Sequence, residues 1–301
     1  MRILVTGSHG QLGNELRRCL ATMNAESGPV PSAYEGACVD YADHKGLDIT
    51  DDQAVSAWFQ KTDRYDLVIN CAAATNVDKC EVDEAATLKV NALGPMYLAR
   101  ACEARESTFV HISTNYVFPG NVPAPQSEND PVGPLSAYGR SKLAGELLAL
   151  DSCKRTHIIR TAWLYGYVGS NIVKTMLRIA REHGRVSVVN DQYGNPTSAN
   201  DLALSVLRIA LTDEYGVWHC VNEGSCSWFD FTCAALDMAG VECEREPITT
   251  IEYKRRVPDS ACRPIYSSLD NKRLNKTVGI KMRPWQEALA DYIANLDTLG
   301  G

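Results

Sequence analysis

The sequence predicts an α/β protein: a doubly wound parallel sheet, followed by a smaller C-terminal α/β lobe. Three observations carry this expectation. Short apolar, β-branched runs alternate with helical spacing through the first half of the chain, small or hydroxyl residues close each run, and a glycine-spaced turn joins the first run to the first helix. Arg2-Ile3-Leu4-Val5-Thr6 is the first run and ends at Gly7; Leu12, Leu16 and Leu20 then share one helical face. Asp66-Leu67-Val68-Ile69-Asn70-Cys71 and Phe109-Val110-His111-Ile112-Ser113 read as buried strands, with helical spacing over 82–105 between them. Strands separated by helices imply crossovers and a parallel sheet, whose ligands lie at the carboxyl ends of the strands. Gly7, Cys71-Ala72-Ala73 and Ser113-Thr114 all follow strands, so they should converge on one crevice.

Five of the 13 prolines fall between Pro119 and Pro134, which rules out helix or central strand there and suggests a wall or lid. Beyond Leu150 the spacing predicts a strand at 157–160, a helix over 171–183 closed by Gly184, and a strand at 186–189. Ser227 should cap a helix running to Gly240, and a last helix follows Pro284. Residues 1–160 are therefore read as the sheet domain and 161–301 as mainly the second lobe, with a segment near 200–222 returning to the sheet.

Gly7-x-x-Gly10-x-x-Gly13 lies between strand and helix, the context in which a glycine turn holds a dinucleotide pyrophosphate. Gly7 lets the chain turn, Gly10 lets backbone approach the phosphates, and Gly13 lets the helix pack close to the sheet. The helix N-terminus adds unpaired N–H groups and its dipole. The spacing differs from the commoner G-x-G-x-x-G, and a plain turn with three glycines is the bland alternative. Asp40 and Asp48 are the candidate carboxylates for the adenosine ribose. A carboxylate at Asp40 favours a free 2′-hydroxyl, and Lys45 stands near, so NADPH and NADH both remain open.

Some 130 residues after the glycines, Tyr138-x-x-x-Lys142 opens a helical segment. At this spacing the two side chains share a face. A ketone reduction needs an acid beside the carbonyl oxygen, and a free tyrosine, with a pKa of about 10, is a poor one near neutrality. A lysine cation close by is expected to lower that value. Thr114, at a strand's carboxyl end, supplies a hydroxyl beside Tyr138, although it could merely cap the turn. An isolated Y-x-x-x-K is usually ordinary helix surface; the upstream glycine turn reverses that judgement.

Composition bounds the function further. A net charge of −7 without a basic run argues against nucleic acid, and no apolar stretch reaches the roughly 20 residues that span a bilayer. The absence of a signal segment and an odd count of eleven scattered cysteines point to reduced thiols and a cytoplasmic protein. The six histidines show no metal-ligand spacing.

The motifs together resemble the extended short-chain dehydrogenase/reductase family with its Rossmann sheet, and within it the dTDP-4-dehydrorhamnose reductases. The resemblance runs through Thr6-Gly7-x-x-Gly10-Gln11-Leu12-Gly13, Asn70-Cys71-Ala72-Ala73-Ala74-Thr75-x-Val77-Asp78, Val90-Asn91-Ala92, Ser113-Thr114-Asn115-Tyr116-Val117-Phe118 and Tyr138-Gly139-Arg140-Ser141-Lys142. It continues in Arg160-Thr161-Ala162-Trp163-Leu164-Tyr165-Gly166, Asp191-Gln192-Tyr193-Gly194-x-Pro196-Thr197 and Arg263-Pro264-x-x-Ser267-x-Leu269, and it covers nearly the whole chain. It implies that Thr114, Tyr138 and Lys142 are the catalytic trio. Gly10, Gln11, Leu12, Asp48, Ile49, Cys71, Ala72, Ala73 and Asn91 would line NADPH or NADH, and Trp163 and Arg263 would face a dTDP-sugar, reduced at its 4-keto group to dTDP-L-rhamnose. The resemblance also implies a homodimer and Mg2+ in some members, for which Glu15 and Glu287 are the carboxylates to consider. Asn115 stands where the family usually has aspartate, and Cys71 where it has alanine. Rival assignments are another nucleotide-sugar 4-reductase or epimerase, and a non-catalytic regulatory subunit of the methionine adenosyltransferase type. For Arg263 the bland alternative is an interdomain arginine paired with a carboxylate.

Overall fold

The computed structural model describes residues 1–299. Its strands are β1 (Arg2–Thr6), β2 (Cys38–Ala42), β3 (Leu67–Asn70), β4 (Thr108–Thr114), β5 (Thr156–Thr161), β6 (Arg185–Val189), β7 (Gly216–His219) and β8 (Glu244–Ile248), besides three two-residue pairings. Six of them form one sheet in the order β2-β1-β3-β4-β5-β7, every pairing parallel. The chain reverses its direction of travel across the sheet between β1 and β3, the point at which doubly wound sheets open a crevice.

Helices α1 (Gln11–Thr22), α2 (Asp52–Lys61), α3 (Val77–Val82), α4 (Glu84–Leu88), α5 (Gly94–Ala104) and α6 (Ala137–Ser152) belong to the first half. The period-2 alternation of the strands assigns the two faces of the sheet. Ile3, Val5, Leu67, Ile69, Val110 and Ile159 face α1 and α8, whereas Leu4, Val68, Phe109 and Ile158 face α2, α5 and α6, with α8 spanning Ala199–Ile209. The continuous helical spacing over 82–105 is broken in the structure. Asp83 ends α3 and caps α4, and residues 89–93 form a π-helical turn before Pro95 restarts the helix as α5. Such turns insert an extra residue and re-aim a side chain, here Asn91.

The remaining helices are α7 (Ile172–His183), α9 (Trp228–Met238), α10 (Thr250–Arg256), α11 (Lys272–Val278) and α12 (Trp285–Leu299). Asn171 caps α7 and Gly184 ends it in the left-handed region, while Ser227 and Asp230 form a reciprocal capping box on α9. Helices α7, α9 and α12 enclose a core of Tyr165, Leu177, Phe231, Trp285, Leu289 and Tyr292, beside the parallel pair β6–β8. Two stretches of the later chain return to the sheet: α8 with β7, and also α11 with Ile280 and Met282, which joins the α1 side of the core through Leu274. No described helix is long and apolar enough to cross a membrane.

Candidate active site

The carboxyl ends of β1, β3, β4 and β5 open into two joined cavities that share Gly10, Cys71 and Ala73. The larger, about 740 Å³, runs from Gly7 and Gly10 past Asp43, Asp48, Ile49 and Ala72 to Val90. The smaller, about 510 Å³, continues over Gln11, Leu12 and Gly13 to Thr114, Tyr138, Lys142 and Trp163.

At the glycine turn, Gly7 has φ +65, and a Cβ there would lie 2.5 Å from the Ala72 nitrogen. A Cβ on Gly13 would lie 2.6 Å from the Gly7 oxygen, so Gly13 is required by the turn itself rather than by the sheet. Gly10 meets only the Gly7 oxygen, at 3.2 Å; as the N-cap of α1 it provides no side-chain cap, so the helix amides are left for a ligand. These features fit a pyrophosphate.

Asp40 does not line this cleft. Its carboxylate accepts from Arg2 Nη2 at 3.0 Å and from the Tyr65 hydroxyl at 2.7 Å. It is paired mid-strand with Leu4, and Tyr41 and Ala42, at about 3.3 Å each, separate it from the loop beyond the strand. Asp43 is the carboxylate that lies just past the carboxyl end of β2 and lines the larger cavity. The Gly46 and Lys45 amides and His9 hold it there, and these contacts lower its pKa. Asp48, expected beside the ribose, also lines the cavity, and its carboxylate is tied up with the Thr50 hydroxyl and amide.

Asn91 is fully buried rather than cofactor-lining. It accepts from the Ala74 amide, donates to the Ala74 carbonyl and donates to Ser141 Oγ at 3.0 Å. It therefore joins the loop after β3 to α6, the helix carrying Tyr138 and Lys142.

Tyr138 packs edge-on against Tyr116 and lines the smaller cavity beside Thr114. The expected lowering of its pKa by Lys142 does not occur. Burial pushes the phenol up to about 12, with only the neighbouring Thr114 side chain opposing it. Lys142 shares the helical face, but its Nζ turns to β4, donating to the Ile112 carbonyl at 2.6 Å and meeting His111 Nε2 at 3.2 Å. Burial lowers the lysine to about 8, opposed by Glu146 and Cys71. A phenol held protonated is the state a proton donor needs. Cys71, which lines both cavities, is a half-buried thiol whose desolvation raises its pKa to about 12.

Asn115 explains its own departure from aspartate. Its amide nitrogen donates to the Ser267 carbonyl at 3.0 Å while its oxygen accepts from Thr114 Oγ1. A carboxylate has no hydrogen for that carbonyl, so the amide ties the turn bearing Thr114 to the second lobe. Trp163 lies in the left-handed region (φ 46) and stacks on Trp228 with ring centroids 3.5 Å apart. A strained bulky residue held by its surroundings is characteristic of ligand sites. Arg263 Nη2 bonds both Asp78 oxygens at 3.0 Å and bridges the lobes, while also lining a 240 Å³ cavity with Tyr116, Gln192, Trp228 and Tyr253. Sequence reasoning missed Trp228, Asp43 and the Asp78 contact; only the position of Asp43 just past a strand offered a local signal.

Glu15 and Glu287, the carboxylates considered for Mg2+, stand in different settings. Glu15 is buried and committed to Arg18 and Asn200, Glu287 is exposed at the start of α12, and no metal-binding group of three side chains exists among the described residues.

A doubly wound sheet with an open glycine turn, facing a tyrosine–lysine helix across one crevice, defines a dinucleotide-dependent reductase of the extended short-chain type. The chain belongs to the family described as RmlD substrate binding domain, whose model matches residues 1–298. It is 37% identical over 307 residues to a dTDP-4-dehydrorhamnose reductase of Aggregatibacter actinomycetemcomitans, covering 97% of this chain and 98% of that protein. A solved dTDP-4-dehydrorhamnose reductase from Clostridium acetobutylicum superposes with a TM-score of 0.91 at 41% identity, covering 99% of this chain and 100% of the other. The Bacillus anthracis dTDP-4-dehydrorhamnose reductase, solved in complex with NADP, gives 0.89 at 34% identity, covering 98% and 99%.

Proposed function

We propose that this protein reduces the 4-keto group of dTDP-4-dehydro-6-deoxy-L-mannose to give dTDP-L-rhamnose, using NADPH or NADH. The observation that carries the proposal is that Tyr138, Thr114 and Lys142 line one cavity with the glycine turn and Trp163. The reduced nicotinamide supplies the hydride when bound. Gly10 and the first amides of α1 hold the pyrophosphate, and Asp43 takes the adenosine ribose. Lys45 on the same rim offers positive charge to a 2′-phosphate, and His9 and His44 stand beside it, which is compatible with the NADP complex of the Bacillus anthracis relative. Thr114 orients the substrate carbonyl and Tyr138 delivers its hydroxyl proton to the carbonyl oxygen. Arg263, with its planar fork, holds the substrate diphosphate from the 240 Å³ cavity.

The experiment is incubation with NADPH or NADH and a panel of nucleotide 4-keto-6-deoxy sugars, following loss of reduced-nicotinamide absorbance. Stoichiometric oxidation with the dTDP-linked ketone is expected, and the ratio of kcat/KM for the two dinucleotides gives the preference. Interconversion of two sugar nucleotides without net oxidation would make the protein an epimerase. Absence of any turnover alongside tight association with a transferase would make it a regulatory subunit.

A further inference from the structure

Trp163 stands in the wall of the smaller cavity with Thr114 and Tyr138, and its backbone is left-handed, which a bulky side chain adopts only when its surroundings impose it. Its two faces show what does so. On one, Trp228 stacks with ring centroids 3.5 Å apart and 8° between the planes. Aromatic rings left to themselves prefer an offset or edge-on arrangement, so this face-to-face stack is imposed as well. On the other face lies the backbone of Gly194. A Cβ there would sit 2.5 Å from Trp163 Cε2, 2.7 Å from Nε1 and 2.8 Å from Cζ2, which places it over the ring and not at its rim. The Trp228 side has no room for such an atom, since the stacked ring is only 3.5 Å away. Gly194 and Trp228 therefore enclose the indole between them.

Local structure sets the width of this slot. Tyr193 and Gly194 pair antiparallel with Ser227 and Cys226, immediately before Trp228. The Tyr193 amide donates to the Ile265 carbonyl at 2.7 Å, and the Tyr193 carbonyl accepts from the Ser267 amide at 2.9 Å. Ser227 and Asp230 cap α9 reciprocally and so fix Trp228, the first residue of that helix. Neither wall retreats on its own. The stacked pair also parts two cavities, for Trp163 lines the one that holds Tyr138 and Trp228 lines the one that holds Arg263.

We infer that Gly194 and Trp228 are positioning residues, forming a slot one indole thick that holds Trp163 as the wall against which the substrate sugar is aligned for Tyr138. The consequence for rate rests on the reductase function proposed above; the slot does not. Any side chain at 194 larger than hydrogen intrudes on the slot. Carbon atoms in contact settle about 3.5–4.0 Å apart, so in Gly194→Ala the indole must give way by about 1 Å or more, with Trp228 blocking its retreat.

The test reads the stack and the rate separately on the whole protein. Two stacked indoles give an exciton couplet in far-ultraviolet circular dichroism, and the difference spectrum against Trp228→Phe identifies it. Gly194→Ala should abolish the couplet while dinucleotide affinity, measured by calorimetry, holds. Its kcat for sugar-nucleotide reduction should fall on the order of 10²-fold with KM within about threefold, because Arg263 holds the diphosphate beyond Trp228. Trp228→Ala should itself lower kcat, but it opens the slot from the far side. Gly194→Ala added to it should therefore cost less than about threefold further, whereas residues acting independently keep their full effect. Equal losses from Gly194→Ala in both backgrounds overturn the inference, as does a wild type without the couplet. A Gly194→Ala protein with wild-type kcat overturns it whatever its spectrum. Should Gly194→Ala not fold, Trp228→Ala decides, and an unchanged kcat there overturns the positioning role. If the wild type reduces no sugar nucleotide, the reductase function is what fails, and the couplet in the wild type and in Gly194→Ala still decides the slot.

Discussion

Gly145→Ala tests whether the placement of the tyrosine–lysine helix is as rigid as its packing implies. Gly145 is the point at which α6 crosses the π-helical turn, and a Cβ there would lie 2.1 Å from the Asn91 carbonyl oxygen. Carbon–oxygen contacts settle at about 3.3 Å or more, so helix and turn must separate by roughly 1 Å. Neither side yields easily. Asn91 is held at both Ala74 backbone groups and at Ser141, and α6 is anchored by the buried Glu146–Arg160 pair. Overpacking of this kind costs about 1–3 kcal/mol of stability. A misplacement of about 1 Å at reacting groups costs on the order of 10²-fold in rate. The assay is kcat/KM for sugar-nucleotide reduction together with the urea midpoint. Gly133→Ala serves as the control, since its Cβ would meet Pro119 at an ordinary 3.6 Å. A Gly145→Ala enzyme with wild-type kcat and midpoint would refute the claim that this crossing fixes the catalytic helix.

Tyr138→Phe removes the proposed proton donor while leaving the ring, so turnover should fall about 10²–10⁴-fold. Dinucleotide affinity measured by calorimetry should stay as it is; unchanged turnover would end the assignment. Arg263→Ala should raise KM for the sugar nucleotide roughly 10- to 150-fold, from about 1.5–3 kcal/mol of charge-assisted bonding, with dinucleotide affinity intact. If Asp78→Ala raises KM equally, the arginine acts through the lobe bridge and not on the diphosphate. Burial lowers His157 to about 4 and His219 to about 3, from 6.5. The unfolded chain therefore binds more protons once the pH falls below 6.5, and stability is lost progressively from there toward pH 4 and 3. The slope approaches about 1.4 kcal/mol per pH unit for each histidine. His157→Gln should flatten the dependence of the thermal midpoint on pH, and an unchanged slope would remove that histidine from the account.

The elements of the sheet were legible because their signals are local. β1, β3, β4 and β5 each show an apolar run closed by a small or hydroxyl residue, and Ser227, Gly184 and the 119–134 prolines mark boundaries through caps and forbidden dihedrals. The glycine turn and the tyrosine–lysine pair could be found because strand–turn–helix context and a four-residue helical spacing fix which side chains share a face. The break at 83–93 was hidden, since apolar spacing continues through a π-helical turn and only the Asn91 contacts select it.

The sequence by itself determined the fold class, the glycine turn between β1 and α1 and the helical face shared by Tyr138 and Lys142, all set by neighbours within a few residues. The tertiary structure alone decided what those groups experience. Burial raises the Tyr138 phenol instead of Lys142 lowering it, Lys142 turns to His111, and Asp43 rather than Asp40 reaches the cleft. Arg263 closes on Asp78, 185 residues away, and Asn115 meets Ser267, 152 residues away. Desolvation and hydrogen-bond partnership depend on which distant segments pack around a group, and no local spacing encodes them.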